Sequence, residues 1–292
     1  MRQKLPQASM SEKQSSSPRE VLRTVRGQET KDGAGVRLTR VIGSEVLPDL
    51  DPFLLFDEFG SDKPGDYIAG FPNHPHRGFE TVTYMLQGCM RHRDNQGNSG
   101  VLTPGSVQWM TAGRGIVHSE MPEQEQGMMR GFQLWVNLPA RAKMCAPRYQ
   151  DISVECVPEV RGGESVVRVI AGEYQHQQGA IQGVITEPVY LDIHLASDEA
   201  LEIALPYEHQ GFIYVYEGQA CIGQKERAVS RGELAVLSFG SLLNLRGIRN
   251  PARLVLVAAQ PLREPVARYG PFVMNTREEL LQAFADFNAS KL

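Results

Sequence analysis

The amino-acid sequence predicts an all-β chain that contains two copies of a jelly-roll unit and one short C-terminal helix. Segments rich in β-branched and aromatic residues are short, and glycine or proline lies close to their ends. Two stretches of the chain repeat the same pattern of glycines and apolar residues. One clear helix-capping pattern stands near the C-terminus.

Strand signals are spread over the chain from residue 36 to residue 258. Their regular spacing, with few helices between them, is typical of β-sandwiches and β-barrels. The clearest predicted strands are Val36–Ile42, Glu80–Leu86, Ser106–Met110, Gly131–Asn137, Val166–Ile170, Val189–Leu195, Phe212–Tyr216, Glu233–Leu237 and Leu254–Ala258.

The internal repeat divides the chain into two similar halves. Gly105–Gly113 matches Gly232–Gly240 in length and in its order of glycine, apolar strand and second glycine. Upstream, the run Arg77-Gly78-Phe79 has a counterpart in Gln210-Gly211-Phe212. We therefore predict an N-terminal domain over residues 19–140 and a C-terminal domain over residues 148–275, joined by the loop between them.

The last predicted element is a helix over residues 276–290. Thr276 followed by Glu279 fits a capping box, in which each side chain binds the backbone N–H of the other residue. Four apolar residues then fall on one helix face, namely Leu280, Leu281, Phe284 and Phe287. We expect this helix to pack on the N-terminal domain.

Composition and charge exclude several classes of protein. The 292 residues are 41 % hydrophobic and carry a net charge of −4, which allows a sizeable core and gives no case for direct nucleic-acid binding. The four cysteines form no CxxC pair, which favours a reduced, cytoplasmic setting. No segment has the pattern of a membrane span or a secretory signal. Residues 1–18 are polar and are predicted to be a disordered tail, with Met10 as an alternative start to Met1.

Two triplets, His74-Pro75-His76 and His118-Ser119-Glu120, predict a metal site. Residues two apart on a strand point to the same face, so two neighbouring strands bring three imidazoles and one carboxylate together. This donor set suits a first-row divalent metal such as Fe, Mn, Co, Ni, Cu or Zn. A structural zinc site would normally use cysteines. Open coordination positions at such a metal favour chemistry with a substrate or O2.

The second copy of the repeat lacks these donors. When Gly113 is aligned with Gly240, His118 falls on Leu245 and Glu120 falls on Gly247. We therefore expect one metal, in the N-terminal domain, and no metal ligands in the C-terminal domain.

Three further residues are candidates for the surroundings of the metal or for the pocket. Glu80, four residues after His76, faces the metal by strand parity, where it would orient a histidine or act as a base. Its alternative is a salt bridge with an arginine such as Arg77 or Arg114. Arg114 itself lies in a tight turn between Gly113 and Gly115 that aims His118 inward.

Gln133 shares one strand face with Trp135, and that face either lines the pocket or packs in the core. Other residues are expected at the edge of the site. His92, between two arginines, is predicted to be a solvated loop histidine. An apolar mouth is predicted from the aromatic residues that precede the ligands, namely Phe53, Phe56, Phe59 and Phe71.

Four blocks of the chain resemble the pirin family of bicupins in order and approximate spacing, and the resemblance covers roughly residues 19–290. The blocks are Asn73–Thr81 (NHPHRGFET), Thr103–Met121 (TPGSVQWMTAGRGIVHSEM), Gln133–Leu138 (QLWVNL) and Gly270–Asn275 (GPFVMN). The resemblance implies two antiparallel cupin barrels stacked face to face, with a short C-terminal helix. It also implies one metal, usually iron and here taken as Fe(II), held by His74, His76, His118 and Glu120.

The resemblance implies a metal-dependent dioxygenase that cleaves a flavonol such as quercetin with O2 and releases CO. Glu120 would then serve both as a ligand and as the catalytic base, and the partners would be a phenolic substrate and O2. The alternative is a non-enzymatic regulatory protein that senses metal or redox state and binds a transcription factor or a metabolic enzyme. The relatives imply a monomer.

Overall fold

The computed structural model describes residues 17–292, and all nine strands predicted from the sequence are present in that range. The strands are β1 (Val21–Arg26), β2 (Gln28–Asp32), β3 (Val36–Ile42), β4 (Phe53–Ser61), β5 (Phe71–His76), β6 (Phe79–Gln87), β7 (Met90–Asp94), β8 (Ser99–Leu102), β9 (Val107–Thr111), β10 (Ile116–Pro122), β11 (Met129–Asn137), β12 (Arg148–Ile152), β13 (Glu159–Gly162), β14 (Ser165–Ala171), β15 (Glu173–Tyr174), β16 (Gln177–Gln178), β17 (Val189–Leu195), β18 (Ala200–Ala204), β19 (Gln210–Glu217), β20 (Gln219–Ile222), β21 (Arg227–Ser230), β22 (Glu233–Leu237), β23 (Leu242–Gly247), β24 (Ala252–Ala259), β25 (Ala267–Tyr269) and β26 (Phe272–Met274). The helical elements are α1 (Arg277–Asn288) and three 3₁₀ helices at Pro64–Asp66, Ala140–Ala142 and Val154–Cys156.

The tail predicted over residues 1–18 lies outside the described residues except for its last two positions. Ser17 accepts a backbone hydrogen bond from Ser241, and Pro18 forms a bridge to Leu242. Within residues 17–292, no helix has the length and apolar content that crossing a lipid bilayer requires.

Each half of the chain forms one seven-stranded and one four-stranded antiparallel sheet. The N-terminal half has the strand orders β12-β9-β6-β11-β4-β3-β2 and β5-β10-β7-β8. The C-terminal half has the orders β1-β22-β19-β24-β17-β14-β13 and β18-β23-β20-β21. The two sets correspond strand for strand, which accounts for the internal repeat seen in the sequence.

Each half contributes one edge strand to the large sheet of the other half, and this corrects the predicted domain boundaries. β1, placed in the N-terminal domain by the sequence, pairs with β22 in the C-terminal sheet. β12, placed in the C-terminal domain, pairs with β9 in the N-terminal sheet. The buried guanidinium of Arg19 secures the first exchange, since it donates to the carbonyl oxygens of Pro206 and His209 at 2.7 and 2.8 Å. Local sequence patterns predict a strand but do not say which sheet it joins.

A single aromatic core joins the two large sheets. The ring of Phe53 lies 5.2 Å from that of Phe212, and Phe56 lies 5.2 Å from Tyr214. Both phenylalanines of the N-terminal half are fully buried there, so the prediction that they line the mouth of the pocket is wrong. The same core buries the carboxylate of Asp192, which accepts hydrogen bonds of 2.6 Å from the hydroxyls of Tyr84 and Tyr216.

The C-terminal helix begins with the predicted capping box. The Thr276 side chain accepts from the backbone N–H of Glu279, and the Glu279 carboxylate accepts from the backbone N–H of Thr276. On the packed face, Phe284 contacts Phe272 at 4.8 Å. Leu281, predicted on that face, is 61 % exposed, because the buried stripe passes through Ala283 instead. A salt bridge of 2.8 Å between Asp286 and Arg77 ties the helix to the N-terminal half.

Candidate metal centre

Three of the four predicted ligands converge in the N-terminal half. β10 pairs antiparallel with β5 so that His118 lies directly opposite His74. The strand parity of β5 places His76 on the same face as His74. One potential ligand atom from each of these three histidines lies within 4.8 Å of the other two, which is close enough to hold a single metal ion. Within residues 17–292, no other cluster of this kind occurs.

A glycine turn fixes the entry of β10. Gly113 has a φ of 52°, and a Cβ at this position would lie 2.3 Å from the carbonyl oxygen of Cys145. Only glycine therefore fits at position 113, in the turn that leads into the strand that carries His118. Arg114, the residue between the two glycines, has an exposed side chain, and it does not line the cavity. The prediction that it belongs to the pocket is wrong.

The histidine nitrogens have the character expected of metal ligands. Burial, followed by repulsion from the neighbouring histidines, holds the pKa of His76 and of His118 well below the usual range, so both rings are neutral. Among the described residues, neither ring nitrogen of His118 has a hydrogen-bond partner. His74 Nδ1 lies 2.8 Å from the carbonyl oxygen of Pro72, an arrangement that leaves Nε2 as the ligand atom. The residues present therefore fit a bound divalent metal.

Glu120, the fourth predicted ligand, lies near the histidines but outside the three-histidine cluster. A bulge in the pairing of β10 with β5 falls between His118 and Glu120. The Glu120 carboxylate is buried, and its Oε1 accepts a hydrogen bond of 2.7 Å from the hydroxyl of Thr83. Thr83 lies 2.7 Å from Gln133 Oε1 as well. Sequence reasoning missed Thr83, because its role depends on its distance to Glu120, which lies on a strand of another sheet.

A cavity of about 590 Å³ lies against this cluster, with His74, His76 and Glu120 in its wall. Gln133 and Trp135 also line the cavity. Of the two possibilities for their strand face, lining the pocket or packing in the core, the structure therefore shows the first. Trp135 packs its ring 5.2 Å from that of His76. The apolar part of the wall is formed by Leu38, Leu55, Phe59, Phe71 and Trp135, so the predictions for Phe59 and Phe71 are confirmed.

A row of polar side chains crosses the large sheet beneath Glu120. Cross-strand register places each member opposite the next, and we call this set the polar row: Asp151, Gln108, Thr83, Gln133, Asp57 and Arg40. Gln108 donates to Asp151 at 2.9 Å, and Arg40 binds Asp57 with its closest contact at 2.7 Å. Burial raises the pKa of Asp57 to about 6, against the opposing effect of Arg40. Three members of the row, Gln133, Asp57 and Arg40, line the cavity and make that part of its wall polar.

Glu80 lies on the other face of this sheet, so its predicted role beside the metal is wrong. It accepts a hydrogen bond of 2.6 Å from Thr111, and it shares its face with Val82 and the interdomain core. Parity counted from His76 fails because β5 ends at that residue and β6 belongs to a different sheet. The alternative salt bridge is wrong as well, since no ion pair joins Glu80 to an arginine among residues 17–292. Burial raises the pKa of Glu80.

His92 is buried on β7 rather than solvated in a loop. It lies opposite Glu120 in the pairing of β7 with β10, and its ring stacks on Tyr149 at 5.5 Å. Its Nε2 lies 3.1 Å from Asp151. The flanking arginines suggested a polar loop, but Met90 and His92 alternate inward as a strand requires.

In the C-terminal half, the corresponding positions are apolar. Leu243 lies opposite Ile203 and Leu245 lies opposite Leu201, in the register that places Ile116 opposite His76 and His118 opposite His74. Leucine and isoleucine therefore stand where the three histidines stand in the other half. Both Leu245 and Ile203 belong to the buried apolar cluster of that barrel.

Two stacked barrels and, within residues 17–292, one histidine cluster, in the first barrel, define the protein as a bicupin with a candidate metal centre. Comparison with family models agrees, since the pirin model matches residues 35–136 and the model of the pirin C-terminal cupin domain matches residues 190–292. The chain belongs to the pirin family.

Individual relatives extend this result over nearly the whole chain. A Pseudomonas aeruginosa protein named "Putative quercetin 2,3-dioxygenase" is 52 % identical over 276 residues, which cover 92 % of this chain and 96 % of that protein. A pirin-like protein of Caulobacter vibrioides is 48 % identical and covers 94 % of this chain and 99 % of that protein. The crystal structure of a quercetin 2,3-dioxygenase from Acinetobacter baumannii matches with a TM-score of 0.86 at 33 % identity, covering 94 % and 98 % of the two chains. The family and fold predicted from the sequence are thus confirmed.

Proposed function

We propose that this pirin is a metal-dependent dioxygenase that cleaves a flavonol such as quercetin with O2 and releases CO. The observation that carries the proposal is a cluster of three histidines, two of them with unpartnered buried nitrogens, in contact with a cavity lined by aromatic residues. The names of the Pseudomonas and Acinetobacter relatives support it. A site of this kind combines metal binding with room for a planar phenol.

In this proposal, His74, His76, His118 and Glu120 hold one divalent metal. Fe(II) is the foremost candidate, and Mn, Co, Ni, Cu and Zn suit the same donors. A bound metal supplies Lewis acidity toward a phenolate oxygen and a centre at which O2 reacts. The Glu and His donors lie on paired strands of one small sheet, which limits their movement.

Glu120 also acts as the base that removes the substrate's hydroxyl proton. Its Oε1 is held by the Thr83 hydroxyl, and Oε2 is the oxygen assigned to receive the proton. Thr83 thereby positions the carboxylate. The aromatic wall formed by Phe59, Phe71 and Trp135 excludes water from the reacting ring.

The experiment that tests this proposal uses the whole chain, loaded anaerobically with Fe(II) and then mixed with oxygenated buffer and quercetin. We expect O2 uptake and CO release in equal amounts. Luteolin is the matched control, because it lacks only the 3-hydroxyl whose proton Glu120 is assigned to remove, and it should not be consumed. If metal is bound near one-to-one and quercetin survives, the dioxygenase proposal fails and the metal-sensing alternative takes its place.

A further inference from the structure

Arg268 forms part of the cavity wall from outside the metal cluster. It lies on β25, in a two-stranded ribbon with β26, and its guanidinium carbon stands 4.9 Å above the ring of Trp135. One donor, Nη1, binds the backbone carbonyl oxygen of Leu54 at 2.8 Å. The side chain is therefore held over the aromatic wall while it remains accessible at the rim of the cavity.

The remaining donors of Arg268 are unpaired. Among residues 17–292, its Nε and Nη2 have no hydrogen-bond partner, and no carboxylate forms an ion pair with it. Arg40, the other arginine of the cavity, differs sharply, because Asp57 and Asp32 bind it at 2.7 and 2.6 Å. Arg268 is thus the cavity cation whose charge has no direct partner in the part of the chain that the structure describes. Partial burial, with a lesser contribution from repulsion by Arg40, lowers the pKa of Arg268.

Trp135 links this cation to the metal centre. The centroid of its ring lies 5.2 Å from that of His76 and 4.9 Å from the guanidinium carbon of Arg268. Trp135 is therefore a neighbour of both a predicted ligand and the guanidinium. A flat molecule in the cavity beside Trp135 would meet both groups with an oxygen donor at one end and an anion at the other.

We propose that this site also binds hydroxylated aromatic acids, with the phenol oxygen at the histidine cluster and the carboxylate bound by Arg268. The planar guanidinium fork matches a carboxylate in a paired arrangement of two hydrogen bonds. This inference rests on the metal centre of the proposed function and adds acidic phenols to its substrates, since a neutral flavonol leaves Arg268 unpaired. Arg268 would then determine specificity without taking part in the oxygen chemistry.

The test compares two probes that differ only in charge, 4-hydroxycinnamate and 4-hydroxycinnamamide. Each is titrated calorimetrically into the metal-loaded protein near pH 7.5. We expect the wild type to bind the acid about tenfold more tightly than the amide, as expected for charge-assisted hydrogen bonds at a partly exposed site. Arg268→Gln should abolish this preference by weakening the acid alone, and Arg268→Lys should retain part of it.

Arg263→Gln is the matched control variant. Arg263 lies in the same C-terminal segment but outside the cavity wall, and its side chain is 65 % exposed. It should bind both probes as the wild type does. Equal affinity of the wild type for acid and amide, or no detectable binding of the acid, overturns the inference. This wild-type comparison decides the matter even if Arg268→Gln fails to fold.

The two proposals fail in different ways. If no phenol supports O2 uptake but the acid binds tightly through Arg268, the dioxygenase proposal fails and the binding inference stands. If quercetin is consumed while acid and amide bind alike, the dioxygenase proposal stands and Arg268 has no role in specificity.

Discussion

The two barrels differ most along one row of side chains on each large sheet. In the N-terminal barrel the polar row crosses the sheet through Gln108, Thr83, Gln133, Asp57 and Arg40. In the C-terminal barrel the same register positions hold Ala235, Ile213, Leu256, Leu191 and Val169, all in one buried apolar cluster. The same backbone therefore accepts polar or apolar inward side chains. A few of these residues determine whether the barrel interior is a hydrophobic core or a binding site.

The polar row makes the N-terminal barrel less stable than an apolar filling would, and the apolar C-terminal barrel offsets this loss. Burying a leucine or isoleucine side chain contributes roughly 1.5–3 kcal/mol. A hydrogen bond inside the N-terminal barrel contributes only about 1 kcal/mol net, and several buried polar atoms there have no partner among the described residues, including Gln108 Oε1 and His118 Nε2. The apolar barrel and the shared aromatic core thus contribute much of the folding free energy, while the N-terminal barrel has ligands and other polar groups at its inward positions.

The largest expected effect comes from removing one ligand. His118→Ala should lose metal retention and all oxygenase activity, while the β-sheet signal in circular dichroism stays, because the barrel keeps its own core. Elemental analysis of the purified protein measures the metal. Full metal occupancy in this variant would show that the histidine cluster is not the metal site.

The matched change in the other barrel should act on stability instead. Leu245, which occupies the position of His118, is 1 % exposed. Leu245→Ala should lower the free energy of unfolding by about 3 kcal/mol through the lost contacts and the cavity left behind. Urea unfolding measures it, and metal content should be unchanged. Loss of metal here would mean that the two barrels are not independent in function.

A smaller effect is expected within the polar row. Thr83→Val keeps the shape of the side chain but removes the hydrogen bond to Glu120. We expect about a tenfold lower kcat with quercetin, in the range found when a residue that orients a ligand is lost. Its counterpart Ile213→Val should leave kcat unchanged and cost about 1 kcal/mol of stability. An unaltered kcat in Thr83→Val would remove Thr83 from the mechanism.

The smallest effect concerns the C-terminal half at acid pH. Burial, with a lesser contribution from Arg19, lowers the pKa of His209 to about 4. The unfolded chain takes up this proton below about pH 6.5, whereas the folded protein does so only near pH 4, so stability falls as the pH drops between these values. His209→Gln should flatten this part of the profile by roughly 1 kcal/mol between pH 7 and pH 5. Metal content should not change, and an unchanged pH profile would contradict the assignment.

Much of the fold could be predicted because strand signals are local. Runs of branched and aromatic residues identified nine strands, and Thr276 with Glu279 identified the helix start. The exchange of β1 and β12 could not be predicted, since it depends on which edge strands meet across the whole chain.

The candidate site divides in the same way. The two-residue spacing of His74 and His76 is a local pattern, so the sequence predicts that both side chains lie on one strand face. The structure pairs His118 with His74 on the neighbouring strand. Glu80 was misplaced because parity cannot be counted across the break between β5 and β6. Thr83 acts only through its distance to Glu120 on a strand of another sheet, which no local pattern records.

The exchanged strand also sets an order of events during synthesis. Residues 28–152 contain every strand of the two N-terminal sheets, so both sheets can form once β12 has left the ribosome. β1 must wait for β22, since Val21 pairs with Leu237. At about 5–20 residues per second, that delay is roughly 10 to 40 s. Nascent chains halted once residue 152 has left the ribosome should already protect these two sheets from proteolysis, so the histidines are brought together before the C-terminal barrel has been made.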